Sequence, residues 1–272
     1  MFKILKRPFF GRFMVKWQNP LNIEQQKEWQ TITTKSKSGA IIHGLFAHAL
    51  KDQPKATIVL GHPMGKEAKG YFLKNGYTDL LRKNGYNTLV FDLNGFGEST
   101  HGNFSYFEDI IAMGRVASKL TPDVPIGYFG ISMGAQWAII AFTDRSHQFD
   151  FAIVESAATS LDDFWIQFPI PFKILQLMNF LLPKYKKKIR PVDRIKDIKR
   201  IKSMLLIYSD IDEWTPVNMG KKILANSPVP TELWVVQNAN HASIMKSENK
   251  VKYEQKIIHF FNNQIGTINQ SQ

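Results

Sequence analysis

The sequence predicts an α/β fold: a mostly parallel sheet of about eight strands, helices on both faces, and a small helical insertion late in the chain. Three observations predict it. From residue 56 to residue 261, strand-like and helix-like segments alternate with short turns between them, the βα rhythm of a parallel sheet. Two earlier strand-like segments joined by a Lys/Ser/Gly turn read as an antiparallel hairpin leading into that sheet. The chain has 272 residues, 44% apolar and 21% charged, enough to bury one full core.

Residues 1–27 form a basic, amphipathic segment ahead of the domain. Lys3, Lys6, Arg7, Arg12 and Lys16 lie in it, and no acidic residue precedes Glu24. A helix opening at Pro8 would gather Phe9, Phe10, Phe13, Met14 and Trp17 on one face, with Arg12 and Lys16 opposite. Such a helix either packs on the domain or lies in a lipid interface. The charges that interrupt its apolar run, and the lack of a small-residue cleavage site, argue against a cleaved signal peptide.

The domain itself is expected over residues 28–262. Residues 29–34 and 40–47 are the hairpin strands. Apolar runs at 56–61, 87–92, 125–129 and 151–155 are buried strands, and 69–84, 106–120 and 135–142 carry helical patterning. The rhythm breaks at 160–194. It resumes with strands at 204–208 and 232–236 and helices at 217–225 and 243–261. A polar tail occupies 263–272. Inside the break, the run from Pro171 to Leu182 is apolar almost all the way round. A helix there must bury two faces or meet something apolar, so the insertion reads as a lid whose inner face accepts an acyl chain.

The net charge of +12 fits a solvated basic surface or attraction to an anionic membrane. No nucleic-acid module accompanies it, so nucleic acid is not an expected partner. The longest apolar stretch, residues 164–182, is broken by Gln167, Pro169, Pro171, Lys173 and Asn179, which argues against a membrane span. Without cysteine there is no disulfide or thiolate chemistry. The expected setting is cytoplasmic, at most peripheral to a membrane; the oligomeric state is left open.

Between the strand at 125–129 and the helix at 135–142 stands Gly130-Ile131-Ser132-Met133-Gly134, a G-x-S-x-G motif in strand-turn-helix context. A serine on so sharp a turn sits in strained backbone, and glycine on either side removes Cβ atoms that would strike the neighbouring strand and helix. The helix N-terminus then points free N–H groups at whatever the serine attacks. Serine needs a base to take its proton, and the base needs an acid. In folds built this way the partners follow in the order acid, then histidine. His241, in the polar turn after the last strand, alone has that order and position. Several residues could be the acid: Asp212 can reach back to an imidazole, Asp210 stands in the tight turn just after its strand, and Glu155 is a topological alternative. Oxyanion donors are expected at the backbone N–H of Met133 and, because Pro63 has none, of Met64. His62 lacks spaced partner ligands, so no metal site is expected, and no nucleotide, flavin or metal motif implies a cofactor.

With these residues assembled, the chain from about Trp29 to Phe261 resembles the α/β-hydrolase superfamily, in particular the serine-aminopeptidase-like hydrolases. Phe91-Asp92-Leu93-Asn94-Gly95-Phe96-Gly97-Glu98-Ser99 matches the D-x-x-G-x-G-x-S loop of these enzymes, and residues 155–163 resemble the segment after their next strand. Asp212 and Pro216 match the G-x-x-D-x-x-x-P segment that carries the family's acid, which ranks Asp212 above Asp210; Ser209 replaces the glycine. His62-Pro63 stands where many relatives have His-Gly. The resemblance implies an α/β-hydrolase fold and a cofactor-independent serine hydrolase. Its expected substrate is an apolar carboxylic ester, lipid-like or thioester, cleaved through Ser132, His241 and Asp212. The alternatives are a serine aminopeptidase-type peptidase, with Glu155 or Asp163 holding the substrate ammonium, and a non-catalytic binding protein on the same scaffold.

Overall fold

The computed structural model describes residues 1–270. Eight strands form one sheet in the order β1-β2-β4-β3-β5-β6-β7-β8, where β1 is Gln30–Lys35, β2 Ile41–Ala47, β3 Ala56–Gly61, β4 Tyr86–Phe91, β5 Ile126–Ile131, β6 Phe151–Glu155, β7 Ser203–Ser209 and β8 Thr231–Val236. β2 pairs antiparallel with β1 and β4, and every later pairing is parallel. Every residue of β3, β4, β5 and β6 is buried, because helices cover both faces of a parallel sheet.

The helices in chain order are α1 (Phe2–Phe10), α2 (Ile23–Gln26), α3 (Gly70–Lys74), α4 (Tyr77–Lys83), α5 (Tyr106–Leu120) and α6 (Met133–Ala141). They continue with α7 (Leu161–Trp165), α8 (Pro169–Leu181), α9 (Pro183–Lys188), α10 (Pro191–Arg194), α11 (Val217–Ala225) and α12 (Lys250–Gln270). One core layer joins α5, α6 and α11 to the sheet through residues such as Ile110, Trp137 and Ile223; the other joins α3, α4 and α12 through Phe72, Leu81 and Ile257. Among the described residues, no helix is long and apolar enough to cross a membrane.

Four expectations are corrected. The N-terminal helix spans Phe2–Phe10 and contains Pro8 instead of opening there. A proline at that position withholds only the bond to the Ile4 carbonyl, and the helix ends two residues later. Trp17 therefore lies outside it. The single helix expected over 69–84 is two, because Gly76 at φ +78° turns the chain left-handed between α3 and α4. The last helix begins at Lys250, after a 3-10 turn at Ile244–Lys246. The polar tail expected at 263–272 is helix as far as Gln270, and its last two residues lie outside the described part.

The insertion between β6 and β7 comprises α7 to α10. Ser160 caps α7 by accepting the Asp163 N–H at 3.1 Å. Asp162 is its anchor: the carboxylate accepts hydrogen bonds from Gln176 at 3.0 Å and Asn179 at 2.8 Å, and it faces Lys186 at 3.5 Å. One side chain thus fixes both α8 and α9 to α7.

The loop after β4 is built on a buried ion pair. Lys69 Nζ lies 2.6 Å from Asp92 and 2.7 Å from Glu98, and 3.7 Å from the Trp17 ring centroid. Asp92 also accepts the Lys69 and Glu98 N–H groups at 2.9 Å each. A Cβ on Gly97 would lie 2.3 Å from the Asp92 carboxylate, so only glycine lets the loop close over it. Removing one partner of such a pair leaves an unpaired buried charge. Asp92→Ala should therefore lower unfolding free energy by about 3–5 kcal/mol in urea titrations.

Candidate active site

Ser132 sits between β5 and α6 at φ +51° and ψ −110°, a strained conformation for a residue with a side chain. The turn is possible because two glycines flank it. A Cβ on Gly134 would come within 2.0 Å of the Gly61 carbonyl oxygen, and one on Gly130 within 2.7 Å of the Ala135 nitrogen. The first turn of α6 thus presses directly on the end of β3. The Gly134 N–H donates to the His62 carbonyl at 3.1 Å, and the Ser132 N–H to the Glu155 carbonyl at 2.8 Å.

The structure brings three of the sequence-predicted residues together. Ser132 Oγ lies 2.8 Å from His241 Nε2, and His241 Nδ1 lies 2.7 Å from Asp212 Oδ2. Asp212 also accepts from Thr215 Oγ1 at 2.7 Å, from the N–H groups of Trp214 and Thr215 at 3.0 Å each, and from Ser156 Oγ at 3.1 Å. Burial would raise its carboxyl, but the hydrogen bonds from His241 and Thr215 outweigh that and hold it below the ordinary value. An ionised acceptor fixes the imidazole with its proton on Nδ1 and leaves Nε2 free to take the serine proton.

The other acid candidates are elsewhere. Asp210 accepts the Asn238 N–H at 2.8 Å and so braces the loop that carries His241. Glu155 lies beneath the site, wholly buried, accepting from Tyr253 while its Oε1 has no partner. Asp163 accepts from Thr159 Oγ1. Met133 opens α6, so its N–H has no acceptor within the helix, and Met64 lines the same space beside Ser132. His62 is structural. Its Nε2 accepts the Leu93 N–H at 3.0 Å and its Nδ1 donates to the Pro63 carbonyl at 2.7 Å, while burial lowers its pKa. Among the described residues, no group of three His, Cys, Asp or Glu side chains could hold a metal ion.

Ser132 separates two spaces. An outer cleft of about 850 Å³ is bordered by Arg12, Gly65, Glu67, Trp214 and His241. An inner, apolar one runs under Leu161, Phe164 and Trp165. Phe10, Trp137, Leu161 and Trp165 are shared between this inner space and a further narrow apolar cleft between α1 and α8.

Sequence reasoning missed several parts. Thr215 and Ser156 carry no motif that marks them as partners of Asp212. Phe10 lines the inner space although it belongs to the N-terminal segment. A chain of tyrosine hydroxyls also went unseen: Tyr71 donates to the Ala242 carbonyl at 2.7 Å and lies 3.3 Å from Tyr77, which lies 3.3 Å from Tyr253, the donor to Glu155. Only the fold brings residues so distant in the chain together.

Burial raises Glu155 from 4.5 to about 8, the Tyr253 hydrogen bond opposes this, and Asp212 adds to it. The folded chain therefore keeps a proton that the unfolded chain loses between those two values, and this group's contribution to stability falls as pH rises through that window. Glu155→Gln mimics the protonated form. Its thermal midpoint should gain on the wild type's between pH 5 and pH 9, and an unchanged difference would assign Glu155 an ordinary pKa.

The family model described as serine aminopeptidase, S33, of the Hydrolase_4 type matches residues 52–225, a span that includes Ser132 and Asp212 and closes before His241. A Bacillus subtilis protein, YqkD, itself uncharacterized, is 25% identical over 206 residues, covering 69% of this chain and 66% of its own length, just under two thirds. A Pyrococcus furiosus esterase superposes with a TM-score of 0.70 at 18% identity, covering 92% of this chain and 98% of its own. A Pyrococcus horikoshii acylaminoacyl peptidase gives 0.65 at 17% identity, over 89% of this chain and 43% of that one. A Xanthomonas campestris α/β serine hydrolase without a lid gives 0.61 at 14% identity, over 92% and 97%. At these identities the structures establish a shared fold.

Proposed function

The chain belongs to the serine aminopeptidase (S33) family of α/β hydrolases, and on that premise we propose that it is a serine hydrolase cleaving carboxylic esters with an apolar acyl chain. The observation that carries the reading is the hydrogen-bonded row from Ser132 Oγ through His241 to Asp212, at 2.8 and 2.7 Å. Ser132 Oγ attacks the acyl carbon as its proton passes to His241 Nε2, and Asp212 stabilises the resulting imidazolium. The N–H groups of Met133 and Met64 receive the oxyanion. His241 Nε2–H then protonates the departing alkoxide. Water enters by the same route in reverse, its proton going to His241 and its hydroxyl to the acyl carbon, and Ser132 regains its proton.

Ester over peptide rests on the surroundings. An aminopeptidase needs a carboxylate free to hold the substrate ammonium. Glu155 is buried and bonded to Tyr253, and Asp163 is bonded to Thr159. Glu67, which does border the outer cleft, pairs with Lys74 at 3.0 Å. The inner space is apolar and continues toward α8, so it suits the acyl chain, and the outer cleft suits the leaving alcohol.

A fluorophosphonate probe should label the wild type, and Ser132→Ala should remove labelling and lower kcat by at least about 10³-fold. A wild type that stays unlabelled beside reactive serine hydrolases would sink the reading. Asp212→Asn should keep the fold and lower kcat by roughly 10³–10⁴-fold by disturbing the imidazole tautomer. Met178 lines only the farther apolar cleft. Met178→Trp should depress kcat/KM for a twelve-carbon p-nitrophenyl ester by about tenfold while sparing the four-carbon ester. Faster turnover of aminoacyl anilides than of esters would favour the peptidase instead.

A further inference from the structure

Helix α1 turns one apolar stripe out to solvent while burying a charge on its inner side. Met1, Ile4 and Leu5, spaced at i, i+3 and i+4, form an apolar stripe, and they are 86%, 75% and 50% exposed. The side turned inward carries Phe9 and Phe10 but also Lys6, which is wholly buried. Its Nζ donates to Asn94 Oδ1 and stands 4.3 Å from the Tyr106 ring centroid. Desolvation lowers its pKa to about 7, an effect that nearby Asp109 opposes. Burying an ammonium while three large apolar side chains face outward is unfavourable for an isolated domain in water.

Helix α8 repeats the pattern. Of its apolar residues only Leu175 is fully buried. Ile170, Leu177, Phe180 and Leu181 are exposed along one side at helical spacing, Phe180 by 81%, and Lys173 falls on that side too. α1 packs beside α8, and residues of both helices line the farther apolar cleft. The charge is one-signed: residues 1–23 and 164–192 contain no Asp or Glu, while Lys3, Arg7, Lys173 and Lys184 are exposed among the apolar side chains. An apolar face interspersed with cations and free of carboxylates matches an interfacial lipid-binding helix.

We propose that α1 and α8 together dock the protein on an anionic lipid bilayer, their apolar side chains entering the acyl region and Lys3, Arg7, Lys173 and Lys184 meeting lipid phosphates. The cleft between the two helices then opens toward the bilayer. The docking is independent of the hydrolase reading, whereas delivery of a lipid acyl chain toward Ser132 rests on it.

Co-sedimentation of the full chain with vesicles tests the proposal. Partition onto phosphatidylcholine vesicles containing about 30% phosphatidylglycerol should exceed that onto pure phosphatidylcholine by at least about tenfold at low salt, and should fall as salt rises. Ile4→Ser with Phe180→Ser should lower partition roughly tenfold by removing apolar insertion. Neither side chain lines a cleft, so hydrolysis of a soluble four-carbon ester should persist and report an intact fold. Ser132→Ala should bind vesicles as the wild type does, which keeps failure of docking separate from failure of the chemistry. The proposal is overturned by equal partition onto neutral and anionic vesicles, or by a double variant that binds undiminished. A dimer that this variant splits on a sizing column would likewise overturn it, by identifying a second copy as the occupant.

Discussion

The site depends on one close approach of backbone to backbone, where the first turn of α6 rests against the end of β3. The Gly61 carbonyl oxygen lies where any side chain on residue 134 would have to be. That contact holds α6 low against the sheet and forces the chain to reverse within one residue, which puts Ser132 at a positive φ. The strain is balanced by bonds on both sides, Ser132 N–H to Glu155 and Gly134 N–H to His62. Because His62 is itself held by the Leu93 N–H, the same contact ties the loops after β3, β4 and β6 to the serine. The position of Met64 beside Ser132 follows from this packing.

The carboxyl edge of the sheet supplies the rest through a division of labour between two aspartates two residues apart. Asp212 faces inward and takes hydrogen bonds from His241, Thr215, Trp214 and Ser156, enough donors to keep it ionised despite burial. Asp210 faces the histidine loop and fastens its backbone at Asn238. From the far side, Tyr71 holds the carbonyl of Ala242, the residue after His241, which also has a positive φ. The imidazole is thus positioned through its own ring and through its backbone on both sides, so its orientation does not rest on the Asp212 hydrogen bond alone.

What could be read in the sequence was whatever depends on local sterics and chain order. The G-x-S-x-G turn and the D-x-x-G-x-G-x-S loop need glycine for reasons confined to a few residues, and the alternation of strands and helices is a local pattern. Ser132 and His241 were reached from those signals and chain order, and Asp212 from the resemblance of its segment; the order of the strands in the sheet was not legible. The N-terminal helix followed only in part: Phe9 and Phe10 pack inward as their spacing suggests, but the helix starts at Phe2 and its first turns face Met1, Ile4 and Leu5 outward. The break in the helix over 69–84 rested on Gly76 alone, too weak a signal inside an apolar pattern. The tyrosine row from Ala242 to Glu155 joins residues separated by up to about 180 positions, and no periodicity encodes such a row. Lys6 was counted with the surface charge, and only its packing on Tyr106 and Asn94 removes it from that set.

Phe10 connects the two ends of the molecule physically. It packs edge-on against Trp165 of α7, Phe96 of the loop after β4 and Tyr106 of α5. It also stands between the space beside Ser132 and the cleft that α8 covers. A displacement of α1 would therefore widen the passage to the serine and loosen the support of the insertion together, since α7 carries both Trp165 and the start of the α8 anchor at Asp162. The buried Lys6 opposes any such displacement through its bond to Asn94, which Asp109 in turn holds at 2.6 Å. The segment that looks most dispensable in sequence, short, basic and ahead of the domain, is in the structure a wall of the apolar passage and its link to the outside.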